Sequence, residues 1–235
     1  MKKLLLFLFL LILTIVSCKQ FKVSEKEKAA MKEIVELYGG SCTYTINFKV
    51  STKSGKTRSF EREVSNSEFL NEHNELAEMY ASNIAYIFFT YVKDEKKTYN
   101  NIKSSIIYKD GGKASYNYSF DSLRIVDTKM AYVKNVVKVL ADSGLEKTKQ
   151  MIKPGIFRTE EDKQEYFAKL IAIDPTFGKI IDFKPVGFKF ITNNPELNFL
   201  HISGNLKRSK RDSQFSIGIE PTIGLDKVYI LGFDY

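Results

Sequence analysis

The stretch 65-SNSEFLNEHNELAEMYASNIAYIFFTYV-92 governs how the first half of the chain is read. Phe69, Leu76, Tyr80, Ile84, Ile87 and Tyr91 fall on one stripe at helical spacing. Ahead of them, Ser65-Asn66-Ser67-Glu68 fits a capping box, in which a serine oxygen and a glutamate satisfy orphan backbone N–H groups. The pattern predicts one long helix running to about Val92, stopped by the polar run Lys93 to Lys97.

Strand signals flank this helix on both sides. Cys42, Tyr44, Ile46, Phe48 and Val50 alternate with Thr43, Thr45, Asn47 and Lys49, a period of two that marks a half-buried strand. Ser54-Gly55 supplies a turn, and Thr57 to Val64 returns as a second strand. After the helix, Ile102, Ser104, Ile106 and Tyr108 alternate. Asp110-Gly111-Gly112 is a tight turn tolerant of positive φ. Ala114, Tyr116, Tyr118 and Phe120 face one way on the strand that follows. Residues 29–125 therefore read as a small β-β-α-β-β unit, a helix packed across an antiparallel sheet.

The second half changes order. Met130, Val133, Val136, Val137 and Leu140 form a helical stripe that breaks near Asp142-Ser143-Gly144. A short helix with Leu145, Thr148 and Ile152 follows, ended by Pro154-Gly155. Thr159 caps a third helix carrying Tyr166, Phe167, Leu170 and Ile171. From Lys179 onward only strands are expected: Ile180 to Phe183, Val186 to Thr192, Leu197 to Lys207, Gln214 to Glu220 and Lys227 to Asp234. Helices first and strands afterwards argue for a segregated α+β arrangement over residues 126–235.

Three features of that segment carry a resemblance. They are the break at Asp142-Ser143-Gly144, the entry Phe177-Gly178-Lys179-Ile180 into the first long strand, and the final strand Val228-Tyr229-Ile230-Leu231-Gly232-Phe233. Together they resemble the cystatin-like α+β roll of the nuclear transport factor two superfamily: three helices, then a curved antiparallel sheet. The resemblance implies a cone-shaped cavity between sheet and helices. Phe188, Phe190, Phe199, His201 and Phe215, with Phe183, are the candidate lining for a small apolar ligand; their alternative role is core filling.

The N-terminus carries the most specific signal. Lys2 and Lys3 precede an unbroken apolar run from Leu4 to Leu13, the layout of a secretory signal peptide. A spanning helix needs roughly 20 apolar residues, more than this run offers. Ile15-Val16-Ser17-Cys18 resembles the lipobox of bacterial lipoproteins. The resemblance implies removal of residues 1–17, a diacylglycerol thioether and N-acylation at Cys18, and a polar tether over residues 18–28. Two or more acyl chains, at about 0.8 kcal/mol per buried CH₂, hold a protein stably where one does not. Lys19, in place of aspartate, points to the outer membrane by the Gram-negative sorting rule. The expected location is the cell envelope, lipid-anchored, facing the periplasm or the surface.

Composition narrows the rest. Loss of the leader leaves about 218 residues, enough for one large or two small domains. Removal of Lys2 and Lys3 lowers the formal charge from +8 to +6. Aromatics make up 13%, all Phe and Tyr, so core material is ample. Basic residues are spread along the chain, which speaks against a nucleic-acid stripe. The dense cluster Lys207-Arg208-Ser209-Lys210-Arg211 reads as a solubilising hairpin tip, or as a contact for lipid headgroups or an acidic partner.

No enzyme signature stands out, and no cofactor is implied. Once Cys18 is lipidated, Cys42 has no disulfide partner and reads as a small buried hydrophobe. His73 and His201 are the only histidines and show no metal-ligand spacing. Ser54-Gly55-Lys56-Thr57 imitates the end of a phosphate-binding loop but lacks its first glycine and its helix. Glu160-Glu161 sit at a helix start, where the macrodipole favours negative charge. Asp121-Ser122-Leu123 matches a short bacterial O-glycosylation motif at Ser122, and short motifs recur by chance. The function expected is a non-catalytic module binding an apolar ligand or an envelope protein. The alternative is a cavity hydrolase or isomerase with His201 as general base and a carboxylate such as Asp182.

Overall fold

A computed structural model describes residues 23–51, 55–95, 99–171, 174–192 and 198–233. Cys18 and the expected leader lie outside the described residues. The chain is α+β, with two four-stranded sheets of order β1-β2-β3-β4 and β5-β6-β7-β8.

The first helix, α1 (Glu25–Tyr38), opens with a capping box that the sequence reading missed. Ser24 Oγ accepts from Glu27 N at 3.2 Å, and Glu27 Oε2 accepts from Ser24 N at 2.6 Å. Met31, Ile34, Val35 and Tyr38 at helical spacing, with Gly39-Gly40 as the stop, predict a short helix from Glu27 to Tyr38. It begins at Glu25, within the stretch expected to be tether up to Lys28.

In the first sheet, β1 (Ser41–Ser51) pairs antiparallel with β2 (Gly55–Ser65), and β3 (Asn101–Ile107) antiparallel with β4 (Lys113–Ser119). The two central strands, β2 and β3, run parallel, so the sheet is mixed and not antiparallel as expected. The reason is geometric: the helical segment between them carries the chain back across the sheet before the neighbouring strand begins, as any parallel pair requires.

That segment is not one helix. Ser67, not Ser65, caps α2 (Glu68–Glu72), accepting from Leu70 N at 3.1 Å and donating to Tyr38 O at 2.5 Å. His73 leaves helical geometry, and a 3₁₀ turn (Asn74–Leu76) leads into α3 (Ala77–Val92). Asn71 supplies a cause. Its amide donates back to Ser67 O and its Oδ1 accepts from Lys109 N, so it ties this turn to the β3–β4 hairpin. Such local side-chain bonds compete with helix continuation.

Helix α3 is buried on nearly every side, from Tyr80 through Ala85 and again at Ile87, Phe88, Phe89 and Val92. A helix apolar all round belongs in a core. Here α3 packs on β3 and β4, on α1, and on β5 (Ile180–Ile191). β5 is one unbroken strand where two were expected, with Pro185 at an irregularity of register. An edge strand tolerates such a proline, and β5 is the edge of its sheet.

The contact with α3 covers that edge. Phe188 N donates to the buried Ser82 Oγ at 2.7 Å. A Cβ on Gly187 would lie 2.3 Å from Met79 O, closer than atoms can approach. Lys189 Nζ also reaches Glu78 Oε2 at 2.6 Å.

Ser119 caps α4 (Phe120–Lys149), so Phe120 begins a helix instead of ending a strand. The unit boundary expected at 125–126 falls inside this helix. The break expected at 142–144 is real: Gly144 has φ 70° and ψ −173°. Thr159 Oγ1 accepts from Asp162 N at the start of α5 (Glu160–Ile171), and the short α6 (Asp174–Phe177) follows. β5 then continues through β6 (Phe199–Arg208), β7 (Ser213–Ile219) and β8 (Val228–Gly232) as an antiparallel meander. One hydrophobic cluster includes Phe60 and Ile102 of the first sheet, Phe88 of α3, Val133 of α4, and Leu200 and Phe215 of the second.

One core residue is anomalous. Arg62 of β2 is fully buried, its guanidinium 3.7 Å from the Phe88 ring centroid, and none of its three nitrogens has a hydrogen-bond partner among the described residues. Ser104, opposite it in register, is also without a partner. Glu27 supplies a counter-charge without a direct ion pair, and it is already engaged by Ser24 N and the Tyr99 hydroxyl. Burial, the dominant cause, pulls the Arg62 guanidinium down to about 9. A base held below its ordinary value costs stability throughout the neutral range, and the cost is relieved only as pH rises through the lowered value toward the ordinary one.

Two outcomes are expected. Gly187→Ala destabilises by about 2–3 kcal/mol through overpacking against the α3 backbone, and Ser82→Ala by about 1–3 kcal/mol by stranding the Phe188 N–H; urea denaturation measures both. Arg62→Met, which exchanges an unpaired buried charge for an apolar chain, is neutral or stabilising by up to roughly 4 kcal/mol in the same assay.

Candidate functional site

The strands of the second sheet sort their side chains by alternation. On β6, Leu200, Ile202 and Leu206 are fully buried, while Phe199, His201 and Ser203 are half-buried on the opposite face. Register extends the sorting across the sheet. Phe188 and Phe190 lie opposite Ile202 and Leu200, and Phe215 opposite Gly204, so these three phenylalanines share the core face. His201 lies between Lys189 and Gly218, and Phe199 opposite Ile191.

The expected lining is therefore divided between two faces. Phe183, Phe188 and Phe215 are buried in the main cluster and fill it, with Phe190 packed at its margin. Phe199 instead stacks on Tyr229, ring centroids 6.0 Å apart, on the other face.

The expected His201–Asp182 pair does not form either. Asp182 is opposite Lys207 and His201 opposite Lys189, seven residues further along β5, or roughly 20 Å at strand rise. Asp182 Oδ1 accepts from Phe183 N instead.

The open face of the second sheet meets the start of α3 in a cleft of about 360 Å³. The helical side contributes Phe69, Leu76, Met79 and Tyr80, with His73. The strand side contributes Ser203, Asn205, Gln214 and Ser216. Register explains why these four converge: Ser203 faces Ser216, and Asn205 faces Gln214, across the β6–β7 pair.

The break in the helix before α3 makes the other wall. Phe69 and Leu76 are 41% and 43% exposed, which a continuous amphipathic helix would not have left open. His73 stacks on Phe69 at 4.6 Å, and its Nδ1 bonds the Phe69 carbonyl at 2.9 Å. A carbonyl only accepts, so Nδ1 carries the hydrogen, and in the neutral ring Nε2 is the acceptor. Phe215, expected as lining, does border this cleft, but from the core face.

The other singled-out residues have structural duties. Cys42 is half-buried, and burial pushes its thiol up, with Arg62 opposing. Arg208, from the basic cluster, is buried, donating to Gly178 O and Ser213 Oγ. Ser122 Oγ donates to Ser119 O in the α4 cap. Lys129, which no sequence pattern marked, is 1% exposed and holds the β7–β8 loop through Leu225 O at 2.7 Å and Asp226 at 3.2 Å. Among the described residues, no group of three or more His, Cys, Asp or Glu could hold a metal ion, and no helix is long and apolar enough to cross a membrane.

No protein-family model, curated protein or solved structure matches the chain.

A raised thiol value makes Cys42 slow to react. In the folded protein its alkylation by iodoacetamide at neutral pH is expected to be at least about tenfold slower than after denaturation, because the thiolate is the nucleophile. Equal rates, followed by mass spectrometry, would show the thiol to be solvated.

Proposed function

We propose that the chain is a lipoprotein of the bacterial cell envelope, held by acyl chains on Cys18 and acting as a non-catalytic binding module. The observation that carries the binding part is the cleft between the start of α3 and the open face of the second sheet, apolar on one wall and polar on the other. At about 360 Å³ it lies within the range of small-molecule sites. An envelope protein docking on the same exposed apolar wall is the variant of this reading in which the ligand is a side chain.

The anchor part rests on Lys2-Lys3, the apolar run and Ile15-Val16-Ser17-Cys18. Lys19 favours the outer membrane. The segregation of α4 and α5 ahead of the β5–β8 meander supports the cystatin-like roll as a description of the second half. The cavity of that resemblance is relocated in this reading: the binding surface is the sheet's open face, since Phe188 and Phe215 fill the other. The hydrolase or isomerase alternative has lost its proposed carboxylate, because register separates Asp182 from His201.

Native expression in a Gram-negative host tests the anchor. The wild type is expected in the membrane fraction, with an N-terminal peptide beginning at acylated Cys18. Cys18→Ala should fail to acquire lipid and retain its leader. An unmodified thiol at Cys18 in the wild type overturns the anchor.

A further inference from the structure

The cleft's chemistry narrows the ligand class, and this inference rests on the binding reading above. No Asp, Glu, Lys or Arg lines it, in a chain that is 27% charged. An ionic ligand would find no counter-charge there. A purely apolar ligand is equally ill-matched. Ser203, Asn205, Gln214 and Ser216 project from one face in cross-strand register, and among the described residues none of their side chains has a hydrogen-bond partner. Covering them with an acyl chain would strip water from four polar groups and return no bond.

The opposite wall supplies what the polar wall lacks. Phe69 is 41% exposed, with His73 stacked on one face at 4.6 Å between centroids and Tyr80 in edge contact at 5.2 Å. An aromatic face fixed in this way is a platform with little rotational freedom to lose on binding. Serine hydroxyls and carboxamides both donate and accept. They suit a ligand whose own groups do both, while the ring suits a flat C–H surface.

We infer that the cleft binds a neutral saccharide of one or two rings, its C–H face on Phe69 and its hydroxyls on Asn205, Gln214, Ser203 and Ser216. A pyranose is the chemistry that offers an apolar face and a rim of hydroxyls in one small uncharged body. The cleft volume admits a short saccharide and no long one, so only a chain end or an exposed terminal unit enters fully.

Isothermal titration of the full chain in a non-glycosidic detergent tests this, with cellobiose, maltose and chitobiose as neutral probes. Glucuronate and decanoate serve as charged and acyl controls. At least one neutral disaccharide is expected to bind saturably. Asn205→Leu with Gln214→Leu should weaken that binding by about tenfold or more, as loss of paired polar partners does. Phe69→Leu should weaken it while far-UV circular dichroism stays unchanged. Binding that survives all these substitutions removes the saccharide from this cleft. If no neutral disaccharide binds but decanoate does, and Phe69→Leu abolishes that, the saccharide inference falls and the binding-module reading stands. If no probe binds, the saccharide inference falls; failure of the binding reading itself would show as an unaltered cleft in a general fragment screen by NMR.

Discussion

Helix α3 packs at once on the first sheet, on the β5 edge of the second and on α1, and each of them meets an apolar surface there. Its N-terminal turn sits against the edge of β5 so closely that position 187 has no room for a Cβ. Ser82 then completes the edge by accepting the Phe188 N–H, a group that would otherwise be buried without a partner. Each buried Ile or Phe along this helix contributes about 1.5–3 kcal/mol. Phe88 and Phe89 join a cluster that reaches both sheets, and Ile84 and Ile87 a second one with Val64 and Ile106 of the first sheet. The halves of the chain, read from sequence as two units, are thus joined through α3.

The cleft is a by-product of the same arrangement. The chain must pass from β2 to α3 without a straight helix, because Ser67 is fixed to Tyr38 and Asn71 to Lys109. The resulting turn leaves Phe69, His73 and Leu76 facing outward, toward a sheet face carrying serines and carboxamides. Neither wall is a site alone. Their juxtaposition follows from how tightly α3 seats on β5.

The core also contains an element that packing does not explain. Arg62 occupies an inward position beneath Phe88 with no hydrogen bond to its guanidinium among the described residues. The aromatic face recovers part of the desolvation cost, and Glu27 supplies a counter-charge at longer range. Glu27 thereby links the cap of α1 to the interior, since Ser24 and Tyr99 hold the same carboxylate. The first helical turn after the expected tether is fastened by polar contacts as well as by its apolar stripe.

Local pattern was enough to read the α+β class, most of the strands (β5 was split in two and β4 run on to Phe120), the Thr159 cap and the break at Gly144, because each depends on neighbours within a few residues. Cys42 to Val50 alternates whatever lies beyond it, and Gly144 permits a positive φ in any setting. Facing and register are another matter. Whether His201 or Leu200 pointed into the core followed from which side of β6 the helices covered, and period two is silent on that choice. The parallel β2–β3 pairing, the division of the phenylalanines between two faces, the burial of Lys129 and the placing of Phe69 and Asn205 around one cleft all involve residues far apart in the chain. Only the packed tertiary structure decides them, since each is set by which distant segments come together and not by any local pattern of side chains.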